Sequence, residues 1–90
     1  MPSETKWNVW IEGDPEKKEY SKGREEINNL CGQSCGSGSG DGGWDVSYHG
    51  LEKEKAEEIT KRAASLDFTR SVCFYSDEGR PSKVYLKGSE

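Results

Sequence analysis

Apolar and polar residues alternate in two short segments, and this alternation predicts two β-strands. In the first segment Trp7, Val9 and Ile11 are separated by single residues, and turn-forming residues follow at 13–15. The second segment, residues 44–48, repeats the pattern 37 positions later. Because a charged, helix-like stretch follows each copy, the sequence indicates an internal repeat.

Spacings of three and four residues predict one strong and one weak helix. The strong helix lies between Gly50 and Asp67, and four residues form its apolar face: Ala56, Ile59, Ala63 and Leu66. The weak helix carries few apolar residues and is interrupted by Gly23, which disfavours helix. We therefore expect the first helix to be short and best formed over residues 21–31.

Residues 36–43, Gly-Ser-Gly-Ser-Gly-Asp-Gly-Gly, contain no apolar side chain. Nothing there offsets the entropy lost when a glycine-rich chain is ordered, so the run predicts a flexible loop. The same composition is typical of linkers that protein engineers insert, an alternative that the sequence leaves open. Gly38 to Gly43 formally fit a dinucleotide motif, but that motif functions after a strand and before a helix, whereas this run precedes a strand.

Two further alternating runs, residues 71–76 and 83–87, flank a turn with Gly79 and Pro81 and predict a terminal hairpin. The resulting order, β-α-β-α-β-β, predicts a single α+β domain over residues 1–90. We expect a two-layer sandwich in which one sheet of about four strands carries both helices on one face. This order is loosely similar to the ferredoxin-like arrangement, but one strand is missing. By the offset of the repeat it would begin near Cys35, where glycines argue against a strand.

Composition and charge restrict the class of partner. Seventeen acidic and thirteen basic residues give a net charge of −4, which disfavours binding through a nucleic acid backbone. No segment approaches the roughly 20 apolar residues that span a bilayer, so no membrane association is expected. Three cysteines, an odd number, fit a reducing compartment, and we expect a cytoplasmic protein.

Alternation also sorts the strand residues into two faces of the sheet. The face expected under the helices contains Trp7, Val9, Ile11, Trp44, Val46, Val72, Phe74, Val84 and Leu86. The opposite face contains Asn8, Trp10, Asp45, Ser47, His49, Cys73, Tyr75, Lys83, Tyr85 and Lys87. Aromatic residues beside polar groups are enriched at binding hot spots, so this second face predicts a partner site. Its residues are Trp10, Ser47, His49, Tyr75 and Tyr85. The alternative is that the three aromatic rings only pack across strands on one another, or lie under the N-terminal segment or the glycine-rich loop.

The pattern therefore predicts a small acidic, non-enzymatic module that binds another protein, as an inhibitor or adaptor masking a basic surface. One alternative is single-stranded nucleic acid stacked on the aromatic face. A second is a zinc domain, because Cys31, Cys35, Cys73 and His49 would supply four ligands, although their spacing is not that of a zinc motif. A cysteine nucleophile would have only His49 as its base, so no catalytic residue, metal ligand or cofactor is assigned.

Overall fold

A computed structural model describes residues 6–40 and 42–76 and the backbone of residues 81–86. In this part of the chain the elements are β1 (Trp7–Gly13), α1 (Tyr20–Cys31), β2 (Gly36–Gly40), β3 (Gly43–Leu51), α2 (Lys53–Ala64), β4 (Thr69–Ser76) and β5 (Pro81–Leu86). All described strand pairs are antiparallel, in the order β2-β3-β1-β4-β5. The predicted α+β class is confirmed, but the sheet has five strands instead of about four.

The element order is β-α-β-β-α-β followed by a fifth strand, so the ferredoxin-like order is matched only loosely. Strand β1 is central and is flanked by β3 and β4, which means that the two copies of the tryptophan repeat lie side by side. The predicted helix over 21–31 is confirmed to within one residue. Neither helix of the described chain has the length and apolar composition needed to span a bilayer.

Residues 36–40 form strand β2, and the prediction of a flexible loop is wrong for them. The strand pairs with β3 from Gly36 opposite Ser47 to Gly40 opposite Gly43. A 2.7 Å hydrogen bond between the hydroxyls of Ser37 and Tyr20 joins it to α1. Local preference does not explain this strand, because glycine and serine are poor strand formers. Strand β2 is instead stabilised by its pairing with β3, whose other edge is already paired with β1.

The core lies between the sheet and the two helices. Its buried residues are Val9, Ile11, Ile27, Cys31, Trp44, Val46, Tyr48, Ala56, Ile59, Ala63, Phe68, Val72 and Phe74. Trp7 packs against this core and stacks on Phe74 with ring centroids 4.8 Å apart. The predicted helix-side face is therefore confirmed for β1, β3 and β4. It follows that the opposite side of these strands lies away from the helix layer.

Strand β5 has a register that alternation did not predict. Tyr85 lies opposite Val72, and Lys83 lies opposite Phe74, which are both helix-side positions. The position of Val84 is opposite Cys73, on the other side. Because a shift of one residue exchanges the two faces of a strand, the backbone positions of β5 are reversed relative to the prediction. The side chains of residues 81–86, and Lys87, lie outside the described residues.

Candidate binding face

The sheet face opposite the helices is termed the open face. Its residues in β1 to β4 are Asn8, Trp10 and Glu12 of β1, Gly36, Gly38 and Gly40 of β2, Asp45, Ser47 and His49 of β3, and Ser71, Cys73 and Tyr75 of β4. The backbone positions of Val84 and Leu86 in β5 pair with Cys73 and Ser71 and continue this side of the sheet. Alternation with core residues places the members of β1, β3 and β4 there, and pairing with β3 places the three glycines of β2 there. The three β2 positions are all glycine, so that edge of the open face has no side chains.

Trp10 occupies the centre of the open face. It is 45% exposed and is the one large apolar side chain that the described residues leave exposed. Its neighbours across the sheet are Ser47 on β3 and Cys73 on β4, and Gly36 continues the same row. These small neighbours leave the indole uncovered. Among the described residues neither Trp10 nor Tyr75 forms an aromatic ring pair, so the alternative in which these two rings pack together is not observed.

One end of the open face is internally hydrogen-bonded and has no carboxylate among the described residues. A bulge in β3 opposite Asn8 contains Gly50, whose φ of 69° is a left-handed conformation that glycine adopts without strain. The side-chain oxygen of Asn8 lies 3.3 Å from Nδ1 of His49 and accepts a 3.4 Å hydrogen bond from the Gly50 amide. Tyr75, opposite Asn8 on β4, is half-buried at this end.

The other end of the open face carries two carboxylates. Glu12 lies directly opposite Asp45 across the β1–β3 pair. The Glu12 carboxylate accepts a 3.1 Å hydrogen bond from the Ser71 hydroxyl. The Asp45 carboxylate has no hydrogen bond or ion pair with any described residue. Like charges directly opposite each other weaken a sheet, so this pair opposes folding.

A depression of about 400 Å³ adjoins these carboxylates, and we term it the glycine-walled depression. Glu12, Asp45, Arg70, Gly38, Gly40 and Gly42 belong to its lining. Arg70 donates a 2.8 Å hydrogen bond from Nη1 to the carbonyl of Gly42. A β-carbon on any of these three glycines would meet nothing within 4 Å. The internal contacts of the described chain therefore do not require glycine there, and its effect is to leave the depression empty.

The structure brings four of the five predicted site residues onto the open face. Trp10 and Ser47 are direct cross-strand neighbours, and His49 and Tyr75 lie at the same end as Asn8. Tyr85 is the exception, because its backbone position shares the row of Val72 and its side chain is outside the described residues. Tyr85 is therefore not part of the candidate site.

The four candidate zinc ligands do not converge. Cys31 is buried under the sheet, Cys73 lies on β4 beside Trp10, and Cys35 lies near the β3 bulge. The Cys35 sulfur contacts the backbone of His49, with Sγ 3.3 Å from the amide nitrogen, while the imidazole points to Asn8. No group of three or more potential metal ligands occurs among the described residues. Burial, more than the nearby charge of Glu12, raises the pKa of the Cys73 thiol, which disfavours a reactive thiolate.

Sequence analysis missed three parts of the site: Glu12, Arg70 and the glycine row of β2. Alternation alone would have placed Glu12 with Trp10, since the two are separated by one residue. Arg70 reaches the depression from an irregularity in β4, where the pairing with β1 shifts between Glu12 and Gly13. No local sequence signal indicates such a shift.

Comparison with known proteins gives no match to a protein-family model, to a curated protein or to a solved structure. A functional proposal therefore depends on the open face itself.

Proposed function

We propose that the protein is a small acidic binding module that uses its open face to bind another protein and mask a basic surface of it. The observation that supports this most directly is the exposure of Trp10 at the centre of a sheet face. A large aromatic ring in water is unfavourable for the isolated domain, whereas tryptophan is enriched among residues that dominate binding energy.

The surroundings of Trp10 fit a contact surface better than a core residue that is incompletely covered. Its small cross-strand neighbours, Ser47 and Cys73, give a partner access to the faces of the indole. The polar residues His49 and Glu12 lie further out on the same face, as at interfaces where a polar rim surrounds an apolar centre. With the net charge of −4, this arrangement favours a partner surface that is basic.

A nucleic acid ligand is the weaker candidate for the same face. An exposed tryptophan on a central strand also suits base stacking. However, Glu12 and Asp45 are the charged members of the open face in the described chain, and both would repel phosphates. The protein-binding proposal requires no such repulsion to be overcome.

Affinity capture followed by titration tests the proposal. Immobilised wild-type protein, Trp10→Ala and Lys61→Ala are exposed to lysate of the natural host, and each retained protein is then purified and titrated. Lys61 is exposed on α2, far from the open face in the layer order, and serves as the control. We expect Trp10→Ala to lower the affinity for a true partner by about 30-fold, which is the effect of a 2 kcal/mol hot spot. Lys61→Ala should leave the affinity unchanged.

Thermal unfolding of both variants accompanies the titration, so that loss of binding is not confused with loss of fold. Because Trp10 is half in solvent, its removal is expected to lower stability by only about 1 kcal/mol. A folded Trp10→Ala protein that binds every captured partner within about twofold of wild type would refute the proposal. Added salt should weaken the interaction, since masking of a basic surface is electrostatic.

A further inference from the structure

We infer that the glycine-walled depression receives an arginine side chain of the partner, as one of two arginines spaced two residues apart in an extended segment. This inference rests on the proposed function and specifies the chemistry of the partner. The second arginine of the segment lies over the indole of Trp10. The segment lies along β1, with the arginine that enters the depression placed between Glu12 and Asp45.

Charge complementarity selects a basic occupant for the depression. Glu12 retains an unbonded carboxylate oxygen, and the Asp45 carboxylate has no partner among the described residues. Folding alone would favour separating or neutralising the two, because they stand directly opposite each other on β1 and β3. A guanidinium placed between them would satisfy both carboxylates, and its planar set of donors suits two acceptors at once.

The glycine row of β2 gives that side chain room. Gly38 lies opposite Asp45 in the strand pairing and presents no β-carbon to the open face. Any larger residue at Gly38 or Gly40 would project into the space beside the Asp45 carboxylate. Arg70, the cation in the lining, is directed toward the carbonyl of Gly42 by its 2.8 Å hydrogen bond, and it forms no ion pair with Glu12 or Asp45 within the described chain.

Strand geometry sets the spacing of the two arginines. Trp10 and Glu12 are two residues apart on β1 and face the same way, which separates them by about 7 Å. Alternate residues of an extended segment have the same separation. An arginine over the Trp10 indole would gain a cation–π contact, and the arginine two positions further on would reach the carboxylate pair.

Titration with a short peptide tests the inference without knowledge of the natural partner. The probe is the capped peptide Gly-Arg-Gly-Arg-Gly, and the control probe replaces both arginines with citrulline, which is neutral and nearly the same shape. Binding is followed by NMR through the amide signals of Gly38, Gly40 and Gly42 and the indole signal of Trp10. We expect saturable shifts of these signals with the arginine peptide and loss of them with the citrulline peptide.

Two charge-matched double variants locate the site. Glu12→Gln with Asp45→Asn removes the carboxylate pair, and Glu25→Gln with Glu57→Gln removes the same charge from the helix layer. We expect the first double variant to bind the arginine peptide with roughly tenfold lower affinity than wild type. The second double variant should change this affinity by less than about twofold. The first variant should be at least as stable as wild type, because it relieves the repulsion across the β1–β3 pair.

Several results would overturn the inference. These are equal shifts with citrulline, equal weakening by both double variants, or shifts confined to the helices. Tighter binding of a thymidine oligonucleotide to the open face would favour nucleic acid instead, and concentration-dependent shifts without peptide would favour a second copy of the chain. If the affinity of captured partners falls on loss of Trp10 but not on loss of the Glu12 and Asp45 carboxylates, the inference fails while the proposed function stands. If the affinity of captured partners is unchanged by Trp10→Ala, the proposed function fails.

Discussion

Replacement of Gly23 by alanine is expected to destabilise the protein, against the direction that helix propensity gives. Gly23 is a buried interior residue of α1, where alanine is favoured over glycine by about 1 kcal/mol. A β-carbon at this position would, however, overlap ring atoms of Trp44, and one on Gly13 would overlap the same ring from β1. The indole of Trp44 therefore sits between two backbone segments that only glycine allows to come so close.

The size of the effect depends on whether the Trp44 ring can move. It is 2% exposed, its Nε1 donates a 2.8 Å hydrogen bond to the carbonyl of Lys18, and its centroid lies 5.7 Å from that of Phe68. A ring held on so many sides cannot move without loss of contacts, so overpacking should cost about 3 kcal/mol, the upper part of its usual range. Subtracting the gain in helix propensity leaves a net loss of about 2 kcal/mol, or roughly 10 °C in melting temperature for a chain of this size.

Chemical and thermal unfolding of wild type and four variants, Gly23→Ala, Asn29→Ala, Trp44→Phe and the Gly23→Ala/Trp44→Phe double variant, would measure this. Asn29→Ala, at an exposed position of the same helix, should raise stability by about 0.5 kcal/mol and serves as the propensity control. In a Trp44→Phe background, where the larger ring is gone, Gly23→Ala should become neutral or stabilising. If Gly23→Ala instead raises stability equally with Trp44 and with phenylalanine, the account of Trp44 packing on a glycine surface is refuted.

Three further predictions concern buried polar groups and cysteines. Burial raises the pKa of Tyr48 above its usual value near 10, so above about pH 10 the unfolded chain releases this proton while the folded chain retains it. Stability should be intact below that pH and fall above it by up to about 1.4 kcal/mol per pH unit. In melting temperatures measured across pH, Tyr48→Phe should remove this part of the loss of stability at alkaline pH. At neutral pH the substitution should lower stability by about 1 kcal/mol, because the 2.7 Å hydrogen bond from the Tyr48 hydroxyl to the Gly32 carbonyl is lost. The hydroxyl of Thr69 is buried with no hydrogen-bond partner in the described chain, so Thr69→Val should stabilise by about 1 kcal/mol in denaturant unfolding, and a loss would contradict this. Mass spectrometry of iodoacetamide-treated protein should show exposed Cys35 modified first and half-buried Cys73 second, because burial raises the pKa of the Cys73 thiol. Buried Cys31 should be modified only on unfolding, and early labelling of Cys31 would contradict the described core.

The faces of β1, β3 and β4 were predictable because strand alternation has a period of two and these strands contain large apolar residues on one side. Val9 and Ile11 could belong only to the core once Trp10 was assigned outside. The same rule failed for β5, whose register depends on its pairing with β4. A register is a property of two strands and a turn, and the alternation of one strand leaves it free to shift by one residue.

Strand β2 was misjudged, whereas the helix over residues 21–31 was predicted correctly although it contains Gly23. Both were assessed by the intrinsic preference of glycine, which disfavours strand and helix alike. In the folded chain β2 is held by its pairing with β3, and Gly23 is retained because the Trp44 ring lies against it. Only the internal repeat carried information about β2, because its offset pointed to the neighbourhood of Cys35 regardless of local preference.

The internal repeat also explains how one face can have two chemically different ends. The register places Trp10 of the first copy opposite Ser47, its equivalent in the second copy, so an approximate twofold axis passes between them. This axis relates Glu12 to His49 and Asn8 to Asp45, yet one resulting pair is two carboxylates and the other is an amide against an imidazole. A backbone with twofold symmetry would accept an extended segment in either direction with equal ease. Because the side chains of the described residues break that symmetry, the Glu12 end favours a basic residue, and under the proposed function the face fixes which of its two ends a basic residue of the bound segment occupies.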